Sequence, residues 1–109
     1  MEIASQSLAL RSTGLYALSD PTRRAILVRL ASGDTTVSQL TELFLLSQPT
    51  ISKHLKVLEA AGLIESGCDA QRRPRRLTPL GMNDISNWLE SLRQRWESRF
   101  RNLDAISRM

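Results

Sequence analysis

The sequence predicts a mainly α fold, a winged helix-turn-helix with a two-stranded β-hairpin wing and a long C-terminal helix, and three stretches carry that prediction. The first is SQPTISKHLKVLEAAGLI, Ser47 to Ile64, a helix with legible ends and two unlike faces. The second is GCDAQRRPRR, polar and cationic, set between Leu63-Ile64-Glu65-Ser66 and Leu77-Thr78 in the order strand, basic tip, strand. The third is the run from Pro79 to about Ile106, whose large apolar residues recur at spacings of four and three.

Length and composition set bounds. A chain of 109 residues has room for one domain, 1–109, burying roughly 60–70% of its unfolded surface, so stability assisted by a partner is in play. Hydrophobic residues make up 41% and charged residues 24%, ordinary for a folded soluble protein. The net charge of +4 and a pI near 10.2 tilt toward polyanionic partners, a weak signal by itself. No apolar run reaches about eighteen residues and MEIASQSLAL lacks both a basic leader and a long apolar core, which predicts a cytoplasmic protein with no membrane partner. The single cysteine, Cys68, forbids a disulfide within the chain and fits a reducing compartment.

Leu8, Leu15, Ala17 and Leu18 give a first helix over about 6–18, interrupted by Gly14. Asp20-Pro21 ends it and starts a second, because Asp20 can cap free amides and proline suits a first helical turn. In that second helix Ile26, Leu27 and Leu30 point inward, Arg23, Arg24 and Arg29 mostly outward, and Ser32-Gly33-Asp34 closes it. Thr36 and Gln39 form a capping box for a short third helix, about Val37 to Leu45, that buries Val37, Leu40, Leu43 and Phe44.

The fourth helix starts at the Ser47 cap and ends at Gly62 in a left-handed turn. At about 100° per residue, Ile51, Leu55 and Leu58 share one narrow stripe, while Pro49, Ser52, Lys53 and Lys56 lie opposite. That outer face is small, polar and cationic, which suits the acceptor-rich major groove. Helices three and four, over 37–61, read as a helix-turn-helix or as an ordinary helical hairpin. The hairpin over 63–78 decides for the winged form. Arg72, Arg73, Arg75 and Arg76 bracket Pro74 with no acid among them, which favours a phosphate or minor-groove contact over charge kept only for solubility.

In the long helix, over about 79–106, Ile85, Leu89, Leu92, Trp96, Leu103 and Ile106 form a stripe widened by Trp88 and Phe100. With Leu8 and Leu15 of the first helix, Ile85, Leu89, Leu92, Trp96 and Leu103 are the candidate residues for pairing with a second copy; folding back over the chain's own core is the other use of such a stripe.

The segments LYALSDPTRRAILVRLASG, LSQPTISKHLKVLEAAGLI and RRPRRLTPLGM resemble the ArsR/SmtB family of bacterial transcriptional repressors over about residues 14–107. The tail NWLESLRQRWESRFRNLD looks like a branch of the family without metal sites. The resemblance implies a winged-helix homodimer paired through its first and last helices. It also implies binding to an inverted-repeat operator in double-stranded DNA, with release on a signal whose inducer the sequence does not name. Carried over by motif, the reading helix is Gln48 to Lys56, with Gln48, Pro49, Thr50, Ser52, Lys53 and Lys56 toward DNA, and the wing is Cys68 to Arg76.

Metal-sensing relatives carry two thiols in the third helix where this chain has Thr36 and Ser38, neither a useful soft-metal ligand. Others hold zinc on the last helix, where this chain offers Asp84 and Glu90 but no histidine. The expectation is therefore no metal at a recognised site and no cofactor; a site built from the N-terminus and Cys68 stays open. His54, near the core stripe, reads as a backbone-bonded structural histidine rather than a base contact. Cys68, near Arg72 and Arg73, reads as a surface thiol before a redox sensor, since no resolving cysteine exists in the chain. There is no glycine-rich phosphate loop and no nucleophile with a base at readable spacing, so an enzyme is not expected. The rival to a repressor is a winged-helix protein-interaction module that does not bind DNA.

Overall fold

The computed structural model describes residues 13–67 and 72–107; Leu8, Cys68 and the side chains of Leu103 and Ile106 lie outside the described residues. Helix α1 covers residues 13–18. It is followed by α2 (Pro21–Ala31), α3 (Val37–Phe44), α4 (Gln48–Ala60), β1 (Ile64–Ser66), β2 (Arg75–Leu77) and α5 (Pro79–Ser107).

The break between α1 and α2 is chemical. Asp20 is extended and its carboxylate accepts from the amides of Thr22 (2.8 Å) and Arg23 (3.3 Å), with Pro21 filling the first turn. The carbonyls left over at the end of α1 are taken by arginines of α2. Arg23 Nε donates to the Ala17 carbonyl (2.7 Å) and its Nη2 to that of Tyr16 (2.9 Å), while Arg24 Nη1 reaches the Leu18 carbonyl (2.7 Å). Arg23 is therefore buried, 7% exposed, where the sequence placed it mostly outward. The helical wheel registers periodicity, whereas Arg23 is drawn in by an orphaned helix end six residues upstream.

The core joins Ile26, Leu27 and Leu30 of α2 to Leu40 of α3, Ile51, Leu55 and Leu58 of α4, and Leu63 and Ile64 beyond it. The capping box of α3 is present, Gln39 N to Thr36 Oγ1 at 3.2 Å and Thr36 N to Gln39 Oε1 at 2.9 Å. Val37 and Phe44 pack against the core, but Leu43 is exposed. Helix α3 has only eight residues, so a single buried leucine anchors it and its outer face turns away before Leu43. The turn into α4 runs through Leu45, which adopts a left-handed conformation (φ 55°, ψ 37°) and is 89% exposed.

Helix α4 ends in a Schellman motif. Gly62 (φ 73°) donates to the Glu59 carbonyl at 2.9 Å and Leu63 to that of Leu58 at 3.1 Å. The chain then enters β1, which pairs antiparallel with β2 in the register Ile64↔Leu77, Glu65↔Arg76 and Ser66↔Arg75. Thr35, from the segment before α3, adds an isolated antiparallel bridge to β2 by exchanging both backbone hydrogen bonds with Arg75.

Two glycines seat α5. A Cβ on Gly81 would lie 2.0 Å from the Gly62 carbonyl oxygen, and one on Gly14 would lie 2.5 Å from Ile85 Cδ1. Gly14 is thus a packing site for α5 as well as an interruption in α1. Ile85 is 6% exposed and belongs to the core of its own chain, which corrects its placement on a dimer face: the glycine opposite admits it. Beyond Glu90 the helix leaves the body, and residues 91–102 are exposed on every side.

Candidate nucleic-acid interface

The amino end of α4 is built by its cap. Ser47 Oγ accepts from the Thr50 amide at 3.3 Å and bonds the Thr50 hydroxyl at 2.9 Å, so part of Thr50's polar capacity is spent on holding the helix start. Pro49 follows in the first turn. Ile51, Leu55 and Leu58 bury the inner stripe, which leaves Gln48, Pro49, Lys53 and Lys56 exposed and Ser52 half-buried on the outer side. None of the ion pairs among the described residues uses Lys53 or Lys56.

A groove of about 640 Å³ runs between this face and the hairpin, bordered by Gln48 and Ser52 of α4, Thr36 and Gln39 at the start of α3, and Arg72, Arg73 and Arg75 of the wing. Among the described residues no carboxylate lines it. Of the residues that the sequence analysis placed toward DNA, Gln48, Ser52, Arg72, Arg73 and Arg75 line this polar trough beside the α3 amino terminus, while Pro49, Thr50, Lys53, Lys56 and Arg76 are not in its lining.

The four wing arginines differ. Arg72 and Arg73 are exposed, Arg73 with a left-handed backbone (φ 39°) that turns the tip. Arg75 is less open: its Nε donates to Glu59 Oε1 of α4 at 2.8 Å and its Nη1 to the Arg73 carbonyl. Arg76 Nε donates to Glu65 Oε1 across the strand pair at 2.9 Å, with both side chains nearly half exposed. The sequence shows no acid among the four arginines; the acids that pair with Arg75 and Arg76 arrive from α4 and β1.

His54 lies on the inner edge of α4, its Nδ1 3.4 Å from Arg23 Nη1. A guanidinium only donates, so Nδ1 is the acceptor in this contact. Arg23 also lies over the Tyr16 ring, 5.1 Å from its centroid. Burial alone would raise the Asp20 carboxyl pKa, but the Arg23 and Thr22 amides, with His54 and Arg23 nearby, hold it below its ordinary value. Arg23 is the residue that sequence reasoning missed. A detectable signal was there: an arginine three places after a capping aspartate, within reach of the helix that the aspartate terminates.

On α5, Leu89, Leu92, Trp96 and Phe100 are exposed along one side, and Leu15 and Tyr16 are exposed on α1. Arg93 bonds Glu90 at 2.6 Å and also Glu97, which holds the Glu90 carboxyl below its ordinary range and raises the Arg93 pKa. Among the described residues, no three His, Cys, Asp or Glu side chains gather as a metal site. No described helix is long and apolar enough to cross a membrane.

Comparison with known proteins agrees with this architecture. The profile of the bacterial regulatory protein arsR family matches residues 20–66. The transcriptional repressor SdpR of Bacillus subtilis is 40% identical over 73 residues, covering 67% of this chain and 81% of the repressor. An ArsR-like transcriptional regulator from Rhodococcus sp. RHA1 superposes with a TM-score of 0.77 at 30% identity, covering 94% of each chain. A homodimeric winged helix-turn-helix DNA-binding domain from Mycobacterium bovis, 20% identical over 93% of this chain and 88% of its own, shares the fold with a TM-score of 0.63. A capped reading helix, an arginine-bearing hairpin and a long closing helix thus occur here in a sequence that aligns with a known repressor, and the chain belongs to the arsR family of bacterial regulatory proteins.

Proposed function

We propose that this chain is a sequence-specific DNA-binding transcriptional regulator, a homodimeric repressor that occupies an inverted-repeat operator. The observation that carries the reading is the trough in which Gln48 and Ser52 of α4 meet Arg72, Arg73 and Arg75, with no carboxylate in its lining among the described residues. Such a surface accepts a polyanion.

Within it, Gln48 is placed to bond an adenine edge in bidentate fashion, and Ser52 to approach bases or phosphate closely. Thr50, tied to Ser47, anchors the helix start, and the helix amino end favours an adjacent phosphate. Lys53 and Lys56 reach phosphate or guanine on flexible stems, and Arg72, Arg73 and Arg76 add wing contacts. The exposed side of α5 from Leu89 to Phe100, with Leu15 on α1, pairs with a second copy. Two reading helices then enter successive major grooves about 34 Å apart, which gives half-sites about one turn apart.

The test uses the duplex that the protein itself selects from a random-sequence pool, with random duplex as reference. Affinity should fall steeply with salt on both, and Gln48→Ala should cost about 1–3 kcal/mol on the selected duplex and little on the reference. Salt-independent or undetectable binding would instead favour a protein-interaction module. Equal weakening on both duplexes would remove Gln48 from the base-reading set.

A further inference from the structure

We propose that Arg75 is a positioning residue for DNA binding: it fixes the wing's angle to the reading helix and makes no phosphate contact of its own. The proposal rests on the DNA-binding reading above.

Arg75 touches three separate parts of the interface. Its amide donates to the Thr35 carbonyl at 2.8 Å and its carbonyl accepts from the Thr35 amide at 3.0 Å, which ties β2 to the segment that leads into α3. Thr35 is itself fixed, 1% exposed, with its hydroxyl donating to the Gly33 carbonyl at 3.0 Å. The Arg75 side chain then runs the other way. Nε meets Glu59 in the last turn of α4, and Nη1 donates to the carbonyl of Arg73, whose left-handed backbone forms the wing tip.

One side chain thus joins the end of the reading helix to the tip of the hairpin. The guanidinium's planar fork is what allows two acceptors in different directions to be held at once. Its side chain is 17% exposed against 45% for Arg76, whose single partner lies across the strand pair. To reach a phosphate, Arg75 would have to leave both Glu59 and the Arg73 carbonyl. The tip would lose its brace as it made the contact.

The two roles predict opposite signs for Glu59. As a mere neighbour of the DNA site, its carboxylate repels phosphate and its removal tightens binding; as the anchor of Arg75, its removal loosens the wing and weakens binding. The experiment measures affinity for the selected duplex as a function of salt for wild type, Glu59→Gln, Arg75→Gln, Arg75→Lys and the double variant, with thermal melts of each. Positioning predicts that Glu59→Gln and Arg75→Gln each weaken binding about three- to tenfold, and that the double variant costs no more than the worse single. It also predicts a salt slope for Arg75→Gln equal to that of wild type, and no rescue by Arg75→Lys, which keeps the charge without the fork. Tighter binding by Glu59→Gln, a slope reduced by about 0.9 in Arg75→Gln, or full function in Arg75→Lys would each overturn it. Should Arg75→Gln fail to fold, the sign of the Glu59→Gln effect still decides. Failure of the DNA-binding reading looks different, because wild type itself would then show no salt-dependent binding.

Discussion

Gly81 and Gly62 meet backbone to backbone: a single carbon added to Gly81 would stand 2.0 Å from the Gly62 carbonyl oxygen and 2.9 Å from its carbonyl carbon. Gly62 ends the reading helix and Gly81 lies in the first turn of α5, so the contact sets the two helices against each other. Backbone cannot yield as a flexible side chain can. Gly81→Ala should destabilise the fold by more than about 3 kcal/mol, read by denaturant unfolding, even though alanine is the better helix former. A loss under about 1 kcal/mol, the range of ordinary surface changes, would mean that α5 shifts freely on its seat.

Arg23 donates to the Tyr16 and Ala17 carbonyls; Tyr16 keeps the Ser19 amide (3.1 Å) and hydroxyl (2.6 Å), so Arg23→Met should leave the Ala17 carbonyl short of a partner, at about 1–3 kcal/mol. Because Arg23 also holds the His54 ring, hydrogen exchange should rise at the end of α1 and along the inner edge of α4 together. Exchange that rises only in α1 would show that the histidine contact carries no tension.

Leu45 keeps a left-handed backbone that side chains with a Cβ enter at a cost of about 1–2 kcal/mol, while its own side chain gains almost no burial. Leu45→Asn should therefore stabilise the chain by about 1 kcal/mol, and Leu45→Ala, which has no side-chain amide to hydrogen-bond the local backbone in that conformation, by less. Thermal melts of the two variants give the comparison.

Trp96 is 67% exposed on α5 in line with Leu92 and Phe100. Trp96→Glu should shift the protein from dimer to monomer in sedimentation while leaving the melting of the body unchanged, since residues 91–102 are all exposed. A wild-type protein that sediments as a folded monomer at micromolar concentration overturns the pairing.

Asp20 has a folded pKa below its ordinary 3.8, so it binds its proton less readily folded than unfolded. Its contribution is complete above 3.8 and drains away as pH falls through the lower folded value. Asparagine caps nearly as well without the charge, so the stability gap between wild type and Asp20→Asn should close on acidification. A gap that is flat across that range would place the stabilisation in the cap geometry alone.

Much of this fold was readable because its punctuation is local. Asp20-Pro21, the Thr36 and Gln39 box, the Ser47 cap and the Gly62 turn each act within four residues of where they stand, and each is found in place. What escaped were relationships between residues far apart in the chain. Arg23 looks like a surface cation until the end of α1 is placed beside it, and Arg75 looks like one more wing charge until Glu59 arrives from α4. Ile85 fits a dimer stripe by spacing, yet Gly14 from the opposite end of the chain opens a seat for it. Periodicity ranks faces by polarity and carries no information on which face a distant glycine or carbonyl will claim.

The last twelve residues of α5 whose side chains are described, 91–102, are exposed, so among the described residues what holds them coiled is neighbours one turn away, such as Arg93 with Glu97. A free segment of that length is a marginal helix in water. Its winding is then a thermometer of association. As the protein is diluted, the far half of α5 should unravel before the winged body does, and helical signal should fall with concentration while the melting of the remainder stays put.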